Sequence, residues 1–329
     1  MKFDEKDLKK GNKNIYDKLG VEELGLKPIN DNFYYRSKDK KSIGFKMNVS
    51  DTVAERFKVI FGLEQYNFDI FKKKLAQSIS GDGQELSKIN ALHSSSLCAL
   101  LMFYNINEET KTTFTVDGHK YTSSFFEVKN DVISSPSNMD VVLTNEKTKE
   151  ILFIECKFSE YLSKNKKYKL PEGYKKYYKD KYFGDIDFEK DIVFPDGLKQ
   201  LVAHYIGIDR FRSKKYSDDE LDAFYPNEDD LKLRKHIYDH QLEYENIAFM
   251  EVIFQFDVEE FNKYIEETDK VFEALRKKEK EVTNKPKITI IGTKTYQQLF
   301  KDNEDNEEAK ENNKILPEKV KEFYKLKSN

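Results

Sequence analysis

Apolar residues fall at helical spacing in some stretches of this chain and alternate as strands in others. Ser50 or Asp51 is a natural cap for a helix through Val53, Phe57, Ile60 and Phe61 that stops at Gly62. Phe68, Phe71 and Leu75 share one face of a second helix reaching about Ser78, with Lys72–Lys74 toward solvent. A third is predicted over about Gln84–Tyr104; its second half is apolar nearly all round, the mark of a buried helix. Ser94-Ser95-Ser96 falls in its middle, where small hydroxylated residues permit close packing or contact with a polar ligand.

Strand patterns follow over Tyr121–Val128, Met139–Leu143 and Ile151–Phe158, with a polar hairpin turn at Asn145–Lys149. A helix is predicted from Asp196 through Leu201, Val202, Tyr205 and Ile206. Residues 216–230 carry seven carboxylates and no base, a solvated loop or helix face. Asn246–Phe256 is the longest apolar strand and is expected to be central. Asp257 then caps a helix through Phe261, Tyr264, Phe272 and Leu275. Lys287–Ile291 is a further strand, Tyr296–Phe300 starts a short helix, and an acidic spacer over 302–313 precedes a terminal helix at Pro317–Tyr324. This order predicts an α/β fold, a mixed central β-sheet flanked by helices. It divides into an N-terminal helical extension (1–79), a main domain (80–301) and a C-terminal acidic spacer with a helix (302–329).

Composition narrows the class. Among 329 residues, Lys and Arg total 57 and Asp and Glu 60, a formal net charge of -3. The near balance leaves only local charge to indicate a partner. Two cysteines exclude a disulfide scaffold or a Cys-rich zinc module. Apolar runs fall far short of the ~20 residues that span a bilayer, and the N-terminus turns charged within four residues, so neither a membrane nor a secretory leader is expected and the cytoplasm is the expected location. No G-x-G-x-x-G or Walker A pattern is present.

The informative segment is Met139-Asp140-Val-Val-Leu followed by Ile151-Leu-Phe-Ile-Glu155-Cys-Lys157-Phe. Strand side chains alternate with period two, so Glu155 and Lys157 project from one face. A carboxylate and an ammonium inside an apolar strand are costly unless partnered. An antiparallel hairpin closed by Asn145–Lys149 would bring Asp140 beside them. Two converging carboxylates suit Mg²⁺, a hard cation that takes oxygen ligands, and a neighbouring lysine would orient water and offset phosphate charge. The bland alternative is an ordinary salt-bridged hairpin on a solvated face.

Asp140 with Glu155-Cys-Lys157, on two strands after a helix, resembles the PD-(D/E)xK nuclease superfamily, and Ser80-Gly-Asp-Gly-Gln-Glu85-Leu, Leu92-His-Ser-Ser-Ser96 and Phe126-Glu127-Val resemble bacterial restriction-endonuclease-like proteins within it. The resemblance covers roughly residues 80–300. It implies the restriction-endonuclease-like αβββαβ core and a Mg²⁺-dependent DNA endonuclease. Asp140 and Glu155 would be metal ligands and Lys157 would act at the water. Glu127 or Glu85 would be an additional carboxylate, Glu127 as a further metal ligand. Ser95 and Gln200 would be contacts to nucleic acid. Double-strand cleavage needs two active sites, so a homodimer is expected, and a restriction role implies a cognate methyltransferase as partner. Met139 stands where the family has Pro, and the family's Gln-x-x-x-Tyr is imperfect here, since Gln200 is followed by His204 and then Tyr205.

Glu308–Lys310 and Glu127–Lys129 are rivals with the same E-x-K spacing. Glu308–Lys310 lies in a polar tract with no strand, whereas Glu127–Lys129, with Asp117 upstream, competes directly. The insertion at 164–183 holds eight Lys against two carboxylates, with five Tyr interleaved. Lys166, Lys167, Lys169, Lys175 and Lys176 would neutralise phosphates while Tyr rings hydrogen-bond or stack. Arg210, Arg212, Lys214 and Lys215 would extend that surface. A non-catalytic nucleic-acid-binding protein on the same sheet is the alternative function. His236 and His240, four apart on a helix, have a zinc-compatible spacing but no third ligand evident in the sequence, which favours surface histidines.

Overall fold

A computed structural model describes residues 54–55, 57–58, 61–63, 65–79, 94–132, 136–158, 195–304 and 318–324. In chain order its elements begin with α1 (Gln65–Ser78), α2 (Ser95–Phe103), β1 (Phe114–Val116), β2 (His119–Tyr121), β3 (Ser123–Asn130), β4 (Ser137–Asn145) and β5 (Glu150–Lys157). There follow α3 (Pro195–Phe211), α4 (Asp218–Phe224), α5 (Glu228–Lys232), α6 (Lys235–Asp239), β6 (Asn246–Ile253), α7 (Glu259–Lys280), β7 (Ile288–Thr295), α8 (Tyr296–Glu304) and α9 (Glu318–Phe323). Two compact units divide them, one of Val128–Thr295 and one of Asp4–Glu127 with Tyr296–Asn329.

The fold is α/β, a mixed five-stranded sheet in the order β3-β4-β5-β6-β7 packed against helices. Strands β4 and β5 pair antiparallel, Val141 opposite Ile154 and Asn145 opposite Glu150, across the predicted polar turn. Strands β5, β6 and β7 run parallel. All eight residues of β5 are buried, as are seven of eight in β6, because a strand covered on both faces reads as one apolar run. Glu155 pairs with Glu251 across β5 and β6, and Glu251 with Thr293 across β6 and β7, so the three share one sheet face. Helix α3 reaches Glu155 through His204, and α7 reaches Glu251 through Tyr264. Both helices therefore cover that face, joined by Arg212 and Glu279, which pair at 2.7 Å.

Local chemistry corrects two expectations. Ser94 does not sit inside a helix; its backbone is extended and its hydroxyl caps α2 by accepting from Leu97 N at 3.2 Å. Asp257 is not the cap of α7, because Val258 occupies that position and makes no side-chain cap bond. Much of the acidic stretch 216–230 is helical. Ser217 and Glu220 form a reciprocal capping box on α4, Asn227 caps α5, and six of the seven carboxylates lie in or beside first turns, where the helix dipole favours them.

In the other unit α2 is apolar because it is buried from Leu97 to Phe103. Its Phe103 meets Phe114 of β1 edge-on, with centroids 5.4 Å apart, and Phe114 meets Phe300 of α8 at 5.7 Å. Asn303 ties α8 to β1, accepting from Thr115 N at 2.7 Å and donating to Thr115 O at 2.9 Å. Among the described residues no helix is long and apolar enough to cross a membrane.

Candidate active site

The last three residues of β5 and one face of α3 build the site. Glu155 and Lys157, two apart on the strand, point to the same side, as the period of two requires. Lys157 Nζ donates to Glu155 Oε1 and, at 2.6 Å, to Gln200 Oε1. One turn further along α3, His204 Nε2 lies 2.7 Å from Glu155 Oε2. Gln200 and His204 thus meet the lysine and the carboxylate from one helix face, at the i and i+4 spacing that stacks side chains. On the opposite side, Asp140 Oδ2 accepts from Cys156 N at 2.7 Å, which holds the β4 carboxylate against the strand between Glu155 and Lys157. The cluster sits at the carboxyl end of a parallel strand, where α/β sheets place their ligands.

Burial differs within the cluster. Glu155 is 2% and Lys157 6% exposed, Asp140 is half-buried and Gln200 is exposed. Burial alone would raise the Glu155 carboxyl, but the Lys157 ammonium and the His204 ring outweigh it and hold the group well below the ordinary carboxylate range. Beside it, Glu251 is fully buried. Desolvation and the Glu155 charge raise its carboxyl to about 7, against the lowering effects of the Tyr264 hydroxyl (2.6 Å), Lys157 and Thr293 (3.2 Å).

Two carboxylates, one firmly ionised, form a hard-oxygen donor pair. Mg²⁺ is commonly held by one or two carboxylates, with water and substrate phosphate completing its shell, so the chemistry of Asp140 and Glu155 fits that ion. Both Glu155 oxygens already meet protein cations or donors, so a metal at Glu155 would share or displace the contact with Lys157 or His204.

Comparison with protein-family models, curated proteins and solved structures finds no significant match. The case for the site therefore rests on its own residues.

Of the residues singled out from the sequence, Asp140, Glu155, Lys157 and Gln200 come together. Glu85, Lys166, Lys167, Lys169, Lys175 and Lys176 lie outside the described residues. Glu127 and Ser95 belong to the other unit. Glu127 is buried with φ 51°, a left-handed backbone uncommon for a residue with a side chain, and Ser95 opens α2 half-buried. The rival lysine, Lys129, donates to Phe224 O at 2.8 Å and lies over the Tyr225 ring at 5.4 Å. The expected basic surface at 210–215 is mostly tied to protein groups: Arg210 binds Asp131 and Val132 O, Arg212 is buried against Asp209 and Glu279, and Lys214 pairs with Glu220 at 2.5 Å. Sequence reasoning missed His204 and Glu251 as members of the cluster. A carboxylate inside the apolar run Asn246–Phe256 was the signal for Glu251.

Proposed function

We propose that the protein is a Mg²⁺-dependent DNA endonuclease of restriction type, hydrolysing phosphodiester bonds at the Asp140–Glu155–Lys157 cluster. The observation that carries this reading is the Lys157 ammonium bonded to both Glu155 and Gln200 beside the anchored Asp140 carboxylate. An ordinary solvated hairpin salt bridge has no need of polar partners from a second element. In this reading Asp140 and Glu155 hold the metal, which when bound lowers the pKa of water and offsets phosphate charge. Gln200 fixes Lys157 Nζ so that its protons face the attacking water or a phosphate oxygen, where charge develops. His204 keeps Glu155 ionised and oriented. A homodimer would supply the second active site for double-strand cleavage, and a methyltransferase would protect the host's own sites.

The near-complete burial of Glu155 and Lys157 favours a second reading, a non-catalytic nucleic-acid-binding protein that retains the cluster as a structural ion pair. Cleavage of varied duplex DNAs with Mg²⁺ separates the two. The endonuclease reading expects products from the native protein and none from Asp140→Asn or Lys157→Met, each checked for a cooperative melt. Equal cleavage by both folded variants, or salt-dependent binding without cleavage under any divalent ion, would overturn it.

A further inference from the structure

We propose that Glu146, His236 and His240 form a binding site for a borderline divalent metal of the Zn²⁺ class, independent of the carboxylate cluster on β5. Among the described residues these are the only three His, Cys, Asp or Glu side chains whose ligand atoms gather closely enough to share an ion, all within 4.8 Å of one another. His236 lies in α6 and His240 ends that helix one turn later, with ring centroids 4.5 Å apart. The turn between β4 and β5 delivers Glu146, whose Oε1 bonds His236 Nε2. Contact between chain segments 90 residues apart is what a helical His pair alone lacks.

The donor set decides the metal. Two imidazoles and one carboxylate are a three-ligand zinc set that leaves a position for water. Imidazole suits Zn²⁺, Cu²⁺ and Ni²⁺, while Mg²⁺ and Ca²⁺ prefer oxygen throughout. Glu243 Oε2, 3.1 Å from His240 Nδ1, adds the kind of carboxylate that orients a metal-bound imidazole. The side chains of His236, Glu146 and His240 are 42%, 40% and 37% exposed, so an ion has an entry path. A bound ion would cross-link the hairpin turn to α6.

The test uses full-length protein stripped with a chelator, dialysed against Zn²⁺ in excess Mg²⁺, and analysed for bound metal and for its melting temperature. The native protein should retain one zinc per chain and melt higher with zinc than without. His236→Gln/His240→Gln should lose that equivalent and the rise in melting temperature, and Glu146→Gln, altered only in an exposed turn, should weaken binding at least ten-fold. Absence of saturable zinc binding, or an unchanged equivalent in both the double variant and Glu146→Gln, would overturn the proposal.

Discussion

Glu155 and Glu251 are register partners on adjacent parallel strands, and their carboxyl groups are driven in opposite directions. Burial acts on both. Glu155 has Lys157 and His204 against its two oxygens, so its charged form is favoured. Glu251 has hydroxyl partners from Tyr264 and Thr293 and a carboxylate neighbour, so its protonated form is favoured.

This pairing makes a signed prediction for stability against pH in metal-free protein. Glu251 titrates near 4.5 when unfolded and at about 7 when folded, so between those values the native state holds the extra proton. Stability should therefore fall as pH rises through this window, by at most about 3 kcal/mol. Glu155 acts in the other direction: its folded value is depressed, so its contribution is present above the unfolded value and lost as pH falls below it. Denaturant midpoints from pH 5 to 7.5 should fall for the native protein more steeply than for Glu251→Gln, which cannot ionise. Identical slopes would show that Glu251 is ordinary.

The Glu155–Lys157 pair should behave as a unit. Lys157→Met strands an ionised carboxylate in the interior and should cost about 3–5 kcal/mol. Glu155→Gln combined with Lys157→Met removes both charges and should cost less than the sum of the single changes by at least about 1 kcal/mol. Chemical denaturation of the three variants gives the coupling directly, and simple additivity would mean the contact contributes nothing.

The hairpin was legible because its signals are local. Met139–Leu143 and Ile151–Phe158 are apolar strands around a polar turn, and the period of two alone puts Glu155 and Lys157 on one side. Gln200 was visible as part of an imperfect motif, but its bond to Lys157 spans 43 residues and depends on how α3 docks. His204 stood at the position expected for tyrosine, and its contact with Glu155 appears only once that helix face is known. Glu146 illustrates the limit most plainly: no local pattern joins a turn residue to a histidine on a helix formed much later in the chain. The capping box of Ser217 and Glu220, by contrast, was present in the sequence and was obscured by the density of carboxylates around it.

Glu279 is a buried structural acid outside the candidate site. It accepts from Arg212 through both oxygens at 2.7 Å, from Tyr205 Oη at 2.5 Å and from Ile288 N at 2.8 Å, all in a buried setting between α3, α7 and β7. Asp209 shares the guanidinium at 2.6 Å and also binds Lys285, so the charges are matched by a network rather than by one pair. Glu279→Ala leaves Arg212 and the Ile288 amide under-satisfied and should cost about 3–5 kcal/mol. Glu228→Ala, at the exposed pair with Lys232 and in the first turn of α5, should shift the denaturation midpoint far less, because solvent screens both contacts. Parallel denaturation curves test the contrast, and comparable effects of the two substitutions would refute the assignment of Glu279 as a buried node.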